Sequence, residues 1–248
     1  MKYLFFIVCL WVFYPMSAQE ETDTAVVYRQ YDYTSKSRYH ESVRTRYGLV
    51  DFGISAMNPA GTYRLENGID PFEVRLLKST NFNIHLIQQR IGLAKGYLNF
   101  TYGLTLEMHK YFFDNPIILL EDTPQVEFLF VPEKKFKKNR LNYSFLTVPF
   151  MINIKSNPRR AYRSFHLSVG GYAGLLLGAN FKTKEKGEKN KIRDNFGLNP
   201  WRYGLRAEIG YGPLIFYGTY ALTELFEEDK NGGYEITPFS IGIVVWPF

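Results

Sequence analysis

Hydrophobic and polar residues alternate with a period of two over eight separate segments of the chain. In the third, "YLNFTYGLTLEMH" at 97–109, even-numbered positions are apolar, whereas odd-numbered positions after the first residue are polar or glycine. Such alternation predicts a β-strand with one apolar face. The other seven segments are 47–57, 81–93, 142–154, 162–179, 201–211, 214–222 and 238–248.

The connections between these segments alternate between short and long. Short connections hold little more than "AKG", "SNPRRA" and "GP", whereas the long ones span about 58–79, 114–141, 180–199 and 223–233. A transmembrane barrel has an even strand number, short turns at one end and long loops at the other. A soluble sandwich has no reason to place every long loop at one end. A lipocalin-like barrel, whose apolar face points inward, stays the alternative.

The amino terminus predicts export. Lys2 precedes an apolar run at 3–14 that is too short to span a bilayer as a helix, and "PMSAQ" follows it. We predict a cleaved signal peptide at 1–19, a periplasmic tail at 20–46 and a barrel at 47–248. The single cysteine, Cys9, lies within the signal, so the mature chain is expected to have no disulfide and no cysteine-based metal site.

Together these features predict an all-β fold, namely an eight-stranded antiparallel up-and-down transmembrane β-barrel with both termini in the periplasm. Composition agrees, since aromatic residues make up 17% of the chain and favour membrane interfaces. The formal charge of +6 is modest and its basic residues are scattered. We therefore expect a monomeric barrel of the outer membrane that does not bind nucleic acid.

Four stretches resemble a family of Bacteroidota outer-membrane β-barrel proteins, the PorT-like group. They are "YGLTLEMHKYFFDN", "NYSFLTVPFMINIK", "SFHLSVGGYAGLLLG" and "NFGLNPWRYGLRAEIGYGPLIFYGTYALTELF". The chain also ends in an apolar strand and Phe248, similar to the terminal signature of outer-membrane barrels. The resemblance covers about 82–248. It implies the barrel fold and the outer-membrane location. The named member of the group belongs to a secretion and gliding apparatus.

Charged residues on the polar faces of the predicted strands must point into the lumen. On the lipid face a charge costs about 2–4 kcal/mol near the bilayer midplane. A barrel of about eight strands has a lumen just wide enough for side chains to fill. We therefore predict a polar network inside the barrel formed by Asp51, Glu107, His109, His166, Arg202, Arg206 and Glu208.

Two long connections are rich in basic residues. "PEKKFKKNR" covers 132–140, and "KTKEKGEKNKIRDN", at 182–195, has six basic and three acidic residues. We predict an outer-loop patch that contacts lipopolysaccharide phosphates. The alternative is a solvated loop without a ligand. The residues of this patch are Lys134, Lys135, Lys137, Lys138, Lys182, Lys184, Lys186, Lys189 and Lys191.

Two further expectations concern the long-loop end. The alternating piece "QVEFLFV" at 125–131 is expected to extend the third and fourth strands above the membrane. Residues 111–113 are expected to begin the outer aromatic girdle.

The sequence leaves three functions open. The first is a non-enzymatic barrel with a structural or interaction role in the envelope, such as adhesion or secretion, through an envelope protein partner. The second is a small solute pore. The third is a lipid-acting enzyme, because the spacing of His166 and Ser168 is similar to that of outer-membrane lipid A deacylases. The four histidines show no metal-ligand spacing, and we predict no metal or cofactor.

Overall fold

The computed structural model describes residues 43–59, 70–158, 160 and 163–245. This part of the chain is almost entirely β, and none of its helices is long and apolar enough to cross a membrane. The strands are β1 (Val43–Arg46), β2 (Leu49–Pro59), β3 (Thr80–Ala94), β4 (Leu98–Phe112), β5 (Ile117–Leu119), β6 (Phe128–Phe130), β7 (Lys138–Lys155), β8 (Phe165–Glu185), β9 (Glu188–Ile192), β10 (Trp201–Tyr211), β11 (Leu214–Ala221) and β12 (Ile236–Val245).

Eight of these strands close into an antiparallel barrel, which confirms the predicted fold. The order around the barrel is β2, β3, β4, β7, β8, β10, β11 and β12, and β12 pairs with β2 to close it. The predicted signal peptide at 1–19 and most of the predicted tail lie outside the described residues. The last four residues of that tail form β1, which pairs with β3.

The outer wall of the barrel is apolar because alternate residues of each strand point away from the lumen. On β10 the outward side chains include Leu205, 54% exposed, and Ile209, 50% exposed. The aromatic side chains of Trp201 and Tyr211 stand at the two ends of the same strand. An apolar band bounded by aromatic residues is typical of a lipid-facing barrel surface.

Two bulges within the barrel wall change which residues point inward, and a third register shift lies at the end of β3, between Gly92 and Ala94. In β3, His85 lies opposite Thr105 and Ile87 lies opposite Leu104, so Leu86 is an additional residue. A bulge of one residue exchanges the two faces of the strand beyond it. This explains why 81–93 does not alternate cleanly in the sequence.

The second bulge lies in β8, where Ser144 faces Gly178 and Phe145 faces Leu176, leaving Leu177 as the additional residue. Gly178 has φ +152°, a backbone conformation that side-chain-bearing residues rarely adopt. Below the bulge Tyr172 points inward, and beyond it Phe181 does so. The phase of β8 therefore changes between its two ends.

The four long connections lie at one end of the barrel, the long-loop end, and the turns and the ends of the described chain lie at the other, the short-turn end. At the long-loop end a cluster of buried apolar residues forms a cap above the lumen. Its members from the connections are Phe72, Phe113, Ile117, Leu119, Val126, Phe196, Leu198, Leu225, Phe226 and Tyr234.

Two expectations for this end are wrong. The piece at 125–131 contributes β6, which pairs with β5 in a separate two-stranded sheet and does not extend the third and fourth strands. Tyr111 and Phe113 are also not part of a girdle, since Tyr111 is fully buried in the barrel and Phe113 is 2% exposed in the cap. Instead of facing lipid, Phe128 packs against the cap core, Tyr111 is buried in the barrel and Phe113 is buried in the cap.

Candidate functional site

The lumen contains two charged clusters, and the upper one lies toward the long-loop end. Arg202 on β10 forms an ion pair with Glu107 on β4. A second guanidinium nitrogen of Arg202, Nη1, donates to His109 Nε2 at 3.0 Å. The guanidinium also lies over the rings of Phe145, at 4.5 Å, and Tyr172, at 5.1 Å. Because a guanidinium only donates, His109 Nε2 is the acceptor of this bond.

The lower cluster is built around Arg206, which is 4% exposed. Its Nη2 donates to Asp51 Oδ2 at 2.7 Å, and its Nε donates to Glu208 Oε1 at 2.8 Å. The same oxygen of Asp51 lies 2.9 Å from Nε2 of His85, and Nδ1 of His85 lies 2.8 Å from the hydroxyl of Thr105. Side chains of β3 and β10 therefore meet at one buried carboxylate of β2, and Thr105 of β4 contacts the ring of His85.

Tyr172 separates the two clusters, and a glycine makes room for it. Gly204 lies between Arg202 and Arg206 on the inner face of β10. A Cβ at Gly204 would stand 2.6 Å from the hydroxyl of Tyr172. The tyrosine ring therefore lies against the bare backbone of β10, and Arg206 packs over the Tyr217 ring at 4.6 Å.

Six of the seven predicted lumen residues form the contacts described above, and the seventh, His166, lies nearer the short-turn end. His166 is buried opposite Lys155 at the short-turn end. Its neighbour on the same face, Ser168, accepts a hydrogen bond from Asn153 Nδ2 at 2.8 Å. The predicted network omitted His85, although Asn81, Asn83 and His85 alternate with apolar residues up to the bulge at Leu86.

A cavity of about 40 Å³ remains near the short-turn end, lined by residues that include His85, Arg90, His166, Ser168 and Glu208. Such a volume holds a few water molecules at most. Among the described residues, no group of three or more His, Asp or Glu side chains is arranged to hold a metal ion.

The predicted basic patch is divided by the strands. Four of its lysines, Lys134, Lys135, Lys137 and Lys186, lie before β7 or in the β8–β9 turn, and Lys134 pairs with Glu185 at 3.7 Å. The others lie on β7, β8 and β9 together with Arg140, which the sequence reasoning had left out. We call this second group the basic wall. It consists of Lys138, Arg140, Lys182, Lys184, Lys189 and Lys191.

A closed barrel with an apolar outer wall, a charged and hydrogen-bonded interior and long loops at one end defines a class, the β-barrels of bacterial outer membranes. The chain belongs to the family of outer membrane protein beta-barrel domains, whose model matches residues 30–227. The protein is therefore an outer-membrane β-barrel.

Two further comparisons add the following. No curated protein sequence matches the chain. A crystal structure of Ail, the attachment invasion locus protein of Yersinia pestis, in complex with the heparin analogue sucrose octasulfate, aligns with a TM-score of 0.30 and 11% identity. That alignment covers 82% of this chain and 96% of the other.

Proposed function

We propose that the protein is a closed, non-catalytic outer-membrane barrel that holds a folded loop cap outside the cell for structural or adhesive contacts in the envelope. In this orientation the short turns and both termini are periplasmic, as in other outer-membrane barrels. Its partners are lipopolysaccharide and an envelope protein, and the barrel acts as a monomer. We also propose that the protein is a member of the PorT-like group that its sequence resembles.

One observation carries the proposal, namely that every long connection contributes to the hydrophobic core of the cap. Phe72 precedes β3, Phe113 follows β4, Phe196 follows β9 and Phe226 follows β11. The Phe72 ring contacts the Phe113 and Phe226 rings, with centroids 6.0 and 5.6 Å apart. Loops that only link strands have no reason to bury such side chains, whereas a surface held in one shape for a partner does.

Ion pairs inside the barrel favour a closed lumen over one that conducts solutes. Arg202 and Arg206 extend from β10 to carboxylates on β4 and β2, so charged pairs cross the lumen at two levels. The interior also argues against the lipid-acting enzyme, because His166 and Ser168 are 6% and 4% exposed and face away from lipid. A nucleophile that acts on lipid has to reach the outer surface of the barrel.

Two measurements test the proposal, one on the refolded protein and one in cells. In planar bilayers the wild-type barrel should produce no discrete conductance steps, and regular steps would favour the pore. In cells, a variant with 117–130 replaced by a short Gly-Ser linker should still insert, as checked by heat-dependent gel mobility. It should nevertheless fail to restore the envelope or adhesion phenotype of a deletion strain. Full restoration by this variant would overturn the role of the cap.

A further inference from the structure

The β8–β9 hairpin sorts charges that are mixed in the sequence. Lys182 lies opposite Lys191, and Lys184 lies opposite Lys189, so these four lysines share one face. Glu185 and Glu188 form the next pair and therefore share the opposite face. Phe181 is on the glutamate face and is buried in the cap core, so the lysine face points away from the core.

The lysine face continues onto the neighbouring strand. Arg140 of β7 lies opposite Lys182, and Lys138 lies opposite Lys184. Each of the two resulting rows therefore holds three cations on adjacent strands. Like charges placed directly opposite each other destabilise a sheet, so these rows oppose folding unless an anion binds them.

No protein anion neutralises the basic wall in the part of the chain that the structure describes. The hairpin's one ion pair there, Lys134 with Glu185, involves a glutamate of the other face. Arg140 lies over the Phe112 ring at 5.3 Å, and its buried Nε has no hydrogen-bond partner. Burial, followed by the positive charges of Arg140, Lys191 and other nearby cations, lowers the pKa of Lys182.

The basic wall lies above the lipid-facing surface on the same outer face, with two polar positions between them. On β7 the outward side chains are apolar from Ile154 to Leu146, and then polar at Ser144 and Asn142. Arg140 lies six residues beyond Leu146, which is about 20 Å along a strand at about 3.3 Å per residue. With a strand tilt of about 40°, this is a height of about 15 Å above the apolar band.

We propose that the basic wall binds the phosphorylated headgroup of a lipopolysaccharide molecule whose acyl chains lie against the apolar surface below it. Lysine and arginine are the side chains that proteins use for phosphate, and arginine can engage it through two parallel hydrogen bonds. The apolar and basic surfaces lie on the same outer face of β7 and β8, so one amphipathic lipid covers both. This inference rests on the orientation given under Proposed function, with the long-loop end outside.

A pair of charge-matched variants tests the proposal. The triple variant R140Q/K182Q/K191Q removes three positive charges from one row of the wall. The control K134Q/K135Q/K186Q removes three from the same end of the protein but away from the wall. After purification from native membranes in mild detergent, the wall variant should retain at least fivefold less lipopolysaccharide per barrel than the wild type. The control should retain about the wild-type amount, and equal retention by both variants would overturn the proposal.

Thermal unfolding gives a second readout with opposite signs in two environments. In zwitterionic detergent the wall variant should unfold at a higher temperature than the wild type, because like-charge repulsion is relieved. In bilayers containing lipopolysaccharide it should unfold at a lower temperature, because the lipid contact is lost. A variant that is less stable in both environments would show a purely structural role and would contradict the proposal.

Two further experiments identify the source of the phosphate and test the orientation of the barrel separately. Dephosphorylated lipopolysaccharide should raise the wild-type unfolding temperature less than the intact lipid does, and inorganic phosphate in detergent should not reproduce the effect. An equal effect of inorganic phosphate would favour a free-anion site and overturn the lipid. Labelling of a Glu133→Cys variant by an impermeant reagent on intact cells reports the orientation independently. If the Cys variant is labelled but the wall variant retains as much lipid as the wild type, the orientation holds and only the binding by the basic wall is rejected.

Discussion

The membrane-spanning part of the barrel and the cap above it have opposite polarities, and single strands pass through both. On β7 the inward residues change from Asn153 and Thr147 to Tyr143 and Leu141, while the outward residues change from Ile152 to Arg140. Where the outer wall meets lipid the interior is polar, and where it meets water the interior is apolar.

The difference shows that the surrounding solvent decides which interior stabilises the fold. Within lipid, burying apolar side chains in the lumen gains little, because the outside is as apolar as the inside. Polar groups in the lumen satisfy one another instead. Above the bilayer, removal of apolar surface from water again drives packing, and the rings of Phe72 and Tyr234 lie 4.9 Å apart for that reason.

The largest effect is expected from removing a charge from the lower cluster. Arg206→Met leaves Asp51, which is fully buried, and Glu208 without their cation. Breaking a buried pair by removing one partner costs about 3–5 kcal/mol, and we expect that loss in the free energy of unfolding, measured by urea titration in lipid vesicles. Adding Asp51→Asn to this variant should restore part of the stability. No recovery in the double variant would contradict the assigned pairing.

A similar but local effect is expected in the cap. Phe226 is fully buried among the rings of the cap. Phe226→Ala should cost about 3 kcal/mol, the lower end of the usual range for such truncations, since loops can partly close the void. The cap should become sensitive to limited proteolysis while the barrel keeps its heat-dependent gel mobility. Loss of both together would show that cap and barrel unfold as one unit.

Two leucines of equal exposure test directly which surface meets lipid. Leu205 on the barrel wall is 54% exposed, and Leu129 in the cap is 53% exposed. Leu205→Arg should cost about 2–4 kcal/mol because the charge enters the bilayer, whereas Leu129→Arg should change stability by no more than about 0.5 kcal/mol. Equal costs in vesicle unfolding would place the membrane boundary elsewhere.

The smallest effect is expected at the surface ion pair of the hairpin. The side chain of Lys134 is half-exposed and that of Glu185 is partly exposed, and Lys134 Nζ lies 3.7 Å from Glu185 Oε2. Lys134→Gln should cost less than about 1 kcal/mol, as is usual for pairs in water. The measurement is the thermal midpoint in detergent. A larger drop would indicate that this pair, unlike its surroundings, is shielded from solvent.

The barrel could be predicted from the sequence because lipid imposes a strict period of two. On β10 that period places Arg202, Arg206 and Glu208 inside without any knowledge of the neighbouring strands. It could not place Arg90 beyond the bulge at Leu86, since the bulge is defined by its pairing with β4 and leaves only an irregular pattern in the sequence.

The cap could not be predicted for a different reason. Tyr111 and Phe113 continue an alternating strand, and nothing in the local sequence marks the height at which lipid gives way to water. Their burial depends on rings from other connections, such as Phe181 with its centroid 6.2 Å from that of Phe113. Long-range packing of this kind has no periodic signature.

The additional residue Leu177 determines which side chains of β8 point outward beyond Gly178. Side chains along a strand alternate between its two faces. The loss of one residue at this point would therefore move every later side chain of the strand to the opposite face. Phe181 would then face water, and Lys182 and Lys184 would face the cap core. An insertion or deletion of one codon can therefore turn a cation-bearing surface inside out, while no pair of point substitutions achieves the same reversal.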